Sequence, residues 1–148
     1  MSKDKTIDGI LYSSDKKLLQ LNVIHAYLSQ ESYWSQGIPE EIVRKSIEGS
    51  LCFAAYHDNK QIAFARVVTD KATFAYLADV FVIEAYRKKG VSKNLMQFIM
   101  ECEEIKGIRK FMLATRDAHS LYEKYGFKSL AVPKNVMEIK FFEDYHSK

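Results

Sequence analysis

A mixed α/β fold of the α+β kind, one mixed sheet with helices on both faces, is what the sequence predicts, and three observations carry it. Thr73 to Ile83 is an almost unbroken apolar run rich in aromatic and β-branched residues, as a strand covered on both faces requires. After Gly90 the period changes: Val91, Leu95, Phe98, Cys102 and Ile105 recur at steps of four and three, the spacing of an amphipathic helix. Arg109 to Thr115 is then a second short buried strand. Strand, helix, strand is a parallel crossover unit, and the hairpin signals around it make the sheet mixed.

The elements follow in order. Ile7 to Tyr12 reads as the first strand, and Ser13, Ser14 and Asp15 offer caps for the helix after it. From Lys16 to Ser29, Leu18, Leu21, Ile24 and Leu28 keep helical spacing. Glu31 to Ile38 is a loop holding Tyr33 and Trp34. Pro39, Glu40 and Glu41 open a second helix, because proline suits its first position and acids its first turn; Gly49 ends it. Leu51 to Tyr56 and Gln61 to Thr69 are strands joined by the turn His57-Asp58-Asn59-Lys60. After the crossover, Asp117 caps a helix that ends at Gly126. Phe127 to Val132 and Met137 to Phe142 are expected as the last strands. The order is β-α-α-β-β-β-α-β-α-β-β, in a single domain over 1–148.

Composition narrows the class. The 148 residues suit one domain, and 47% hydrophobic with 28% charged residues is the balance of a globular chain. The net charge of +3 comes from 22 Lys and Arg set against 19 Asp and Glu, spread along the chain, so no nucleic-acid stripe is formed. Met1 to Asp8 is polar and lacks the apolar core of a signal peptide, and no apolar stretch reaches ~20 residues, so a cytoplasmic protein is expected. Two cysteines, Cys52 and Cys102, make neither a zinc site nor a disulfide framework, and His25, His57, His119 and His146 lack ligand spacing; no metal is expected.

The segment Val80-Phe81-Val82-Ile83-Glu84-Ala85-Tyr86-Arg87-Lys88-Lys89-Gly90-Val91-Ser92 holds the strongest chemical signal. A buried strand runs into a basic, glycine-containing turn and then a helix. The first turn of a helix leaves amides unpaired and its dipole favours negative charge, so this geometry makes an anion site. The plain alternative is a surface turn with solvated lysines. Neither the GxxxxGK spacing of a P-loop nor the GxGxxG of a dinucleotide fold is present.

Arg87-Lys88-Lys89-Gly90-Val91-Ser92 closely resembles the R/Q-x-x-G-x-G/A signature of the GNAT superfamily of N-acetyltransferases, and Ala118-His119-Ser120-Leu121-Tyr122-Glu123-Lys124-Tyr125-Gly126-Phe127 resembles the A-x-x-L-Y-x-x-x-G-F segment of the same family. Both occur in family order, and the likeness covers nearly the whole chain. Ser92 stands where the family prefers Gly or Ala, Glu84 where Pro is frequent, and Thr115 where many members have an Asn that touches the cofactor.

The resemblance implies a GNAT-like fold and an acetyl-coenzyme A-dependent N-acyltransferase working by direct attack in a ternary complex. It implies that amides from Lys88 to Lys93, with Arg87, Lys88, Lys89, Gly90, Val91, Ser92 and Lys93, bind the coenzyme pyrophosphate. Val80, Phe81 and Val82 would pair with the pantetheine arm as an added strand, splayed from the next strand by a bulge. An amide near Phe81 or Val82 would face the thioester carbonyl, and Thr115 falls at a cofactor contact. Tyr122 corresponds to the tyrosine that protonates the leaving thiolate. Asp79, one residue ahead of the pantetheine stretch, is a candidate base, set by alternation with Phe81 on the face opposite Val80 and Val82; pairing with Arg66 is the structural alternative. Tyr76 lies near a position where some members carry a glutamate. Tyr33 and Trp34 would wall the pocket of a small-molecule or protein amine. Homodimers are frequent in the family. Two other classes stay open at this point: a non-catalytic acyl-coenzyme A-binding regulatory module, and a nucleic-acid binder using the basic turn, which the modest charge disfavours.

Overall fold

The computed structural model describes residues 3–146. Its centre is a six-stranded sheet in sequential order: β1 (Lys5–Ile7), β2 (Ile10–Ser13), β3 (Leu51–His57), β4 (Lys60–Thr69), β5 (Phe74–Val82) and β6 (Lys110–Leu113). All neighbours are antiparallel except β5 and β6, which run parallel across the crossover. The mixed sheet and its parallel unit are as expected. The helices are α1 (Leu21–Ala26), α2 (Glu40–Glu48), α3 (Val91–Met100), α4 (Glu103–Lys106) and α5 (His119–Glu123).

Strand alternation divides the core in two. Phe53, Ala55, Ala63, Ala65, Val67, Ala75 and Leu77 face α3, α4 and α5, against Val91, Leu95, Ile99 and Tyr122. Cys52, Ala54, Tyr56, Phe64 and Phe81 face α1 and α2, against Ile24, Leu28 and Val43. No helix among the described residues is long and apolar enough to cross a membrane.

Several elements differ from expectation. Ile7 to Tyr12 is no single strand but a hairpin closed by Asp8 and Gly9, both at positive φ (52° and 79°), a two-residue turn that Asp-Gly favours. The expected helix over 16–29 is divided. Asp15 caps a 3-10 turn at Lys16–Leu18 by accepting from the Lys17 amide, and α1 then restarts at Leu21 and closes in a π turn at Tyr27–Glu31. The restart is fixed by Gln20 and Gln61, whose side-chain oxygens each accept from the other's backbone amide at 2.7 and 3.0 Å. Cys102 adopts an extended backbone, so the helix expected to run to Ile105 breaks there.

The two strands expected at Phe127 to Val132 and Met137 to Phe142 do not form. Phe127 instead packs on Phe111 and Tyr122, and Pro133–Asn135 is a 3-10 turn. Alternation alone makes a strand only where an edge is available to pair with it, and β6, only four residues long, takes none from this tail.

Candidate active site

The site begins with a defect in β5. Arg66 pairs with Ala78 and Phe64 with Phe81, so Asp79 and Val80 together stand against Ala65. This is a β-bulge, and Asp79 occupies the left-handed region within it at φ 55°. The bulge turns the strand: Leu77 belongs to the core below the sheet, whereas Phe81, four residues on, belongs to the core above it. The parallel pairing with β6 stops at Leu77 and Leu113. Beyond it, residues 78–82 keep their β4 partner and leave their other edge open.

The open edge has a definite polarity. The Ile83 amide donates to the Ile62 carbonyl at 2.9 Å. Antiparallel alternation then turns the Phe81 amide toward β4 and those of Val80 and Val82 toward the open side. Of the two donors the sequence offered, Phe81 and Val82, only Val82 faces the gap.

A 3-10 turn at Glu84–Tyr86 leads from this edge to the basic loop. Lys88 and Gly90 both take positive φ, 64° and 80°, which turns the chain sharply into α3. The first α3 hydrogen bond joins the Asn94 amide to the Gly90 carbonyl at 3.0 Å, so the amides ahead of Asn94 have no partner within the helix. Lys88, Lys89 and Lys93 are exposed, and Lys89 Nζ lies 5.5 Å above the Tyr86 ring. An open strand edge therefore continues into unpaired amides flanked by lysines.

Arg87, expected among the anion ligands, is engaged elsewhere. Its Nε donates to the Val82 carbonyl at 3.0 Å and its guanidinium to the Tyr27 hydroxyl at 2.8 Å, tying the strand exit to the end of α1. Tyr86 is held in turn by His57, Nδ1 to hydroxyl 2.7 Å.

Across the gap between β5 and β6 lies the aromatic loop. The Trp34 indole donates to Asp79 Oδ1 at 2.8 Å, while the Tyr33 hydroxyl accepts from the Arg116 amide at 3.2 Å. The rings meet edge to face at 5.0 Å, and the Arg116 guanidinium lies 3.8 Å from the Tyr33 ring centre. One arm of the gap is thus pinned to the other through two adjacent residues. Asp79 also accepts from Arg66 Nε at 2.8 Å, with side chains 9% and 18% exposed, and Arg66 donates to Ser50 Oγ at 3.1 Å. The ion pair that the sequence left open is therefore formed.

Beneath the aromatic loop is a cavity of about 400 Å³ lined by Tyr33, Trp34, Arg66, Tyr76, Asp79 and Tyr122 among others. Tyr122 is buried, on the first turn of α5, and also borders a second cavity of about 720 Å³ along β6. Burial pushes its phenol up to about 12, with the neighbouring Tyr33 adding to the rise, so it holds its proton throughout the neutral range. Thr115 lines the cavity too, but its hydroxyl accepts from the Ala118 amide at 3.0 Å and so braces the turn that leads into α5. Asp117, the expected cap, does not cap α5: Ala118 stands at the start of the helix without a side-chain cap, and the Asp117 carboxylate turns to Arg116 at 3.7 Å.

Burial pushes the Cys52 thiol up to about 11, which makes it a poor nucleophile. No group of three or more potential metal ligands is found among the described residues. Arg116 is a site residue the sequence reading missed; nothing but its place just ahead of the second motif pointed to it. Arg66 was named only as a partner for Asp79.

A strand edge opened by a bulge, a glycine turn at a helix start and a buried tyrosine across the gap define a class of acyl-transfer domains. The family profile described as an acetyltransferase (GNAT) domain matches residues 48–129, more than half of the chain. A crystal structure of a candidate GNAT-family acetyltransferase from Xanthomonas campestris pv. campestris is 43% identical, with a TM-score of 0.89 over 93% of this chain and 96% of that one. A curated candidate acetyltransferase of Gibberella zeae is 28% identical, covering 77% of this chain and 76% of its own. Glucosamine-6-phosphate N-acetyltransferase from Arabidopsis thaliana shares the fold at a TM-score of 0.59 and 18% identity, over 96% of this chain and 99% of that one. The chain belongs to the GNAT family of acetyltransferases.

Proposed function

We propose that the protein transfers the acetyl group of acetyl-coenzyme A to an amine, by direct attack with both substrates bound. The observation that carries this reading is the continuity of the open β5 edge at residues 78–82 with the unpaired amides ahead of Asn94. An extended thiol-bearing arm fits the first and a pyrophosphate the second. When bound, the thioester supplies the activated acyl group.

The chain's own residues do the rest. Backbone amides from Lys88 to Lys93 hold the pyrophosphate, with Lys88, Lys89 and Lys93 adding charge. Arg87 keeps the strand exit and the loop in register. The Val80 and Val82 amides face the gap, where a donor can aim at the thioester carbonyl oxygen. Tyr122, whose phenol stays protonated, gives its proton to the departing sulfur. Tyr33 and Trp34 wall the acceptor cavity. Asp79, whose oxygens already accept from Arg66 and Trp34, positions Trp34 and receives the amine proton by way of water.

The test is release of free thiol from acetyl-coenzyme A across a panel of polyamines, amino acids, aminoglycosides and peptides, with wild type and Tyr122→Phe in parallel. One amine class should stimulate wild type, and the variant should fall at least roughly tenfold in kcat. Binding of the coenzyme without turnover on any amine, and with no difference between the proteins, would make the chain a regulatory acyl-coenzyme A binder instead.

A further inference from the structure

The loop that carries Tyr33 and Trp34 is fastened unevenly. At its tip the two rings are 46% and 40% exposed, so burial does little to hold them over the cavity. What holds them is one hydrogen bond each, from the Arg116 amide to Tyr33 and from Trp34 to Asp79, both open to water. Bonds of that kind contribute little net, because water replaces either partner. The root of the loop is firmer. The Gly37 amide donates to the Ser29 carbonyl and the Ile38 amide to the Ser35 carbonyl, each at 3.0 Å, and Ile38 is buried in the core shared with α1 and α2.

The C-terminal tail closes over that root. Where the tail begins, Phe127 packs on Tyr122 on one side of the sheet. Near its end Tyr145 lies against the core on the other side, the one that holds Ile38. The next residue, His146, covers Gly37. A Cβ at position 37 would stand 2.7, 2.9 and 3.0 Å from the imidazole Cε1, Nδ1 and Nε2, closer than side-chain contacts come. Gly37 also takes φ 77°, so glycine serves both the turn and the ring that rests on it. Asp144 shapes the approach by accepting from the His146 amide at 2.9 Å. The tail therefore runs from the neighbour of Tyr122 to the root of the loop whose tip is Trp34.

We propose that Tyr145 and His146 are positioning residues for the acceptor: by clasping the loop at Gly37 they set how closely Tyr33 and Trp34 stand over the cavity. That the cavity receives an amine rests on the acetyl-transfer reading; the clasp itself does not. Neither residue borders the cavity, so their effect passes through the loop. A loop held only by its tip opens more often, and an acceptor must then close it at a cost to its own affinity. The seat of the coenzyme, at the open β5 edge and the start of α3, lies outside this linkage. A tail that served stability alone would not separate the two ligands.

Trp34 is the single tryptophan of the chain, so its fluorescence reports the loop directly. In Tyr145→Ala with His146→Ala, acrylamide quenching of Trp34 should rise at least roughly twofold, as for a segment released from its fastening. The acceptor KM should rise roughly tenfold while kcat changes by less than about twofold, the pattern of lost binding rather than lost chemistry. The coenzyme dissociation constant should stay within about twofold of wild type. Tyr145→Phe, which keeps the ring, should match wild type. Gly37→Ala attacks the same contact from the loop side and should reproduce both the quenching and the KM change. Thermal melting confirms that each variant is folded. Unchanged Trp34 quenching, an unchanged acceptor KM, or a coenzyme dissociation constant that rises in step with that KM would each overturn the proposal. If wild type transfers to no amine, the acetyl-transfer reading fails, and quenching still decides the clasp.

Discussion

Replacing Asp79 separates two costs that the structure assigns to one residue. The first is electrostatic. Asp79 accepts from Arg66 and Trp34, each at 2.8 Å, and its side chain is 9% exposed. Asp79→Asn removes the charge, keeps an acceptor for the indole, and leaves the Arg66 guanidinium with Ser50 as its remaining partner. Breaking a fully buried pair from one side costs about 3–5 kcal/mol, and the 18% exposure of Arg66 reduces that, so about 2–3 kcal/mol is expected. The second cost is in the backbone. Asp79 sits at φ 55°, which Asn tolerates and Ala does not, so Asp79→Ala adds about 1–2 kcal/mol. Urea unfolding with an unchanged m value measures both. Asn and Ala variants of equal stability would remove the backbone contribution, and a loss below about 1 kcal/mol in both would show that the ion pair does not hold the bulge. A cycle with Arg66→Gln isolates the coupling between the two side chains.

Further outcomes are expected. Because Tyr122 is pushed up to about 12 from an ordinary value near 10, its ionisation should not lower the transfer rate below about pH 10. The raised value means that the folded chain keeps a proton the unfolded chain loses, so Tyr122 makes stability fall as pH rises from about 10 to about 12, and Tyr122→Phe should flatten that fall in a pH series of urea curves. Arg87→Ala should lower stability by on the order of 1 kcal/mol through the lost Val82 and Tyr27 contacts, whereas Lys88→Ala with Lys89→Ala should leave stability within about 0.5 kcal/mol and weaken coenzyme binding in a salt-dependent way, measured by calorimetry at two ionic strengths. Gly90→Ala, at φ 80°, should cost about 1–2 kcal/mol and reduce coenzyme affinity with it. Iodoacetamide at pH 8 should leave Cys52 unmodified in the native protein, where its thiol lies at about 11, and label it after unfolding.

Much of the fold was legible because it follows from local rules. The turn at Asp58 and Asn59, both at positive φ, and the glycine stop at Gly126 are residue-level signals that act within a few positions. Asp8-Gly9 carries the same kind of signal and was legible too, though the sequence reading merged its strands into one. The division of the first helix follows from a contact made far along the chain, Gln20 with Gln61, which no window of sequence contains. Asp79 lies between these cases. Alternation put it opposite Val80 and Val82, yet the bulge that holds it there appears only in the pairing with β4.

The sequence by itself determined the succession of strands from β3 to β6, the parallel crossover and the two motifs that mark the family, because periodicity, glycine punctuation and helix starts are properties of neighbouring residues. Only the tertiary structure decided that Arg87 ties β5 to Tyr27, that Thr115 rather than Asp117 braces the turn into α5, and that Tyr33 and Trp34 bridge the gap. It also left Met137, Ile139 and Phe141 in solvent, since a strand pattern becomes a strand only when some other edge lies within hydrogen-bonding distance.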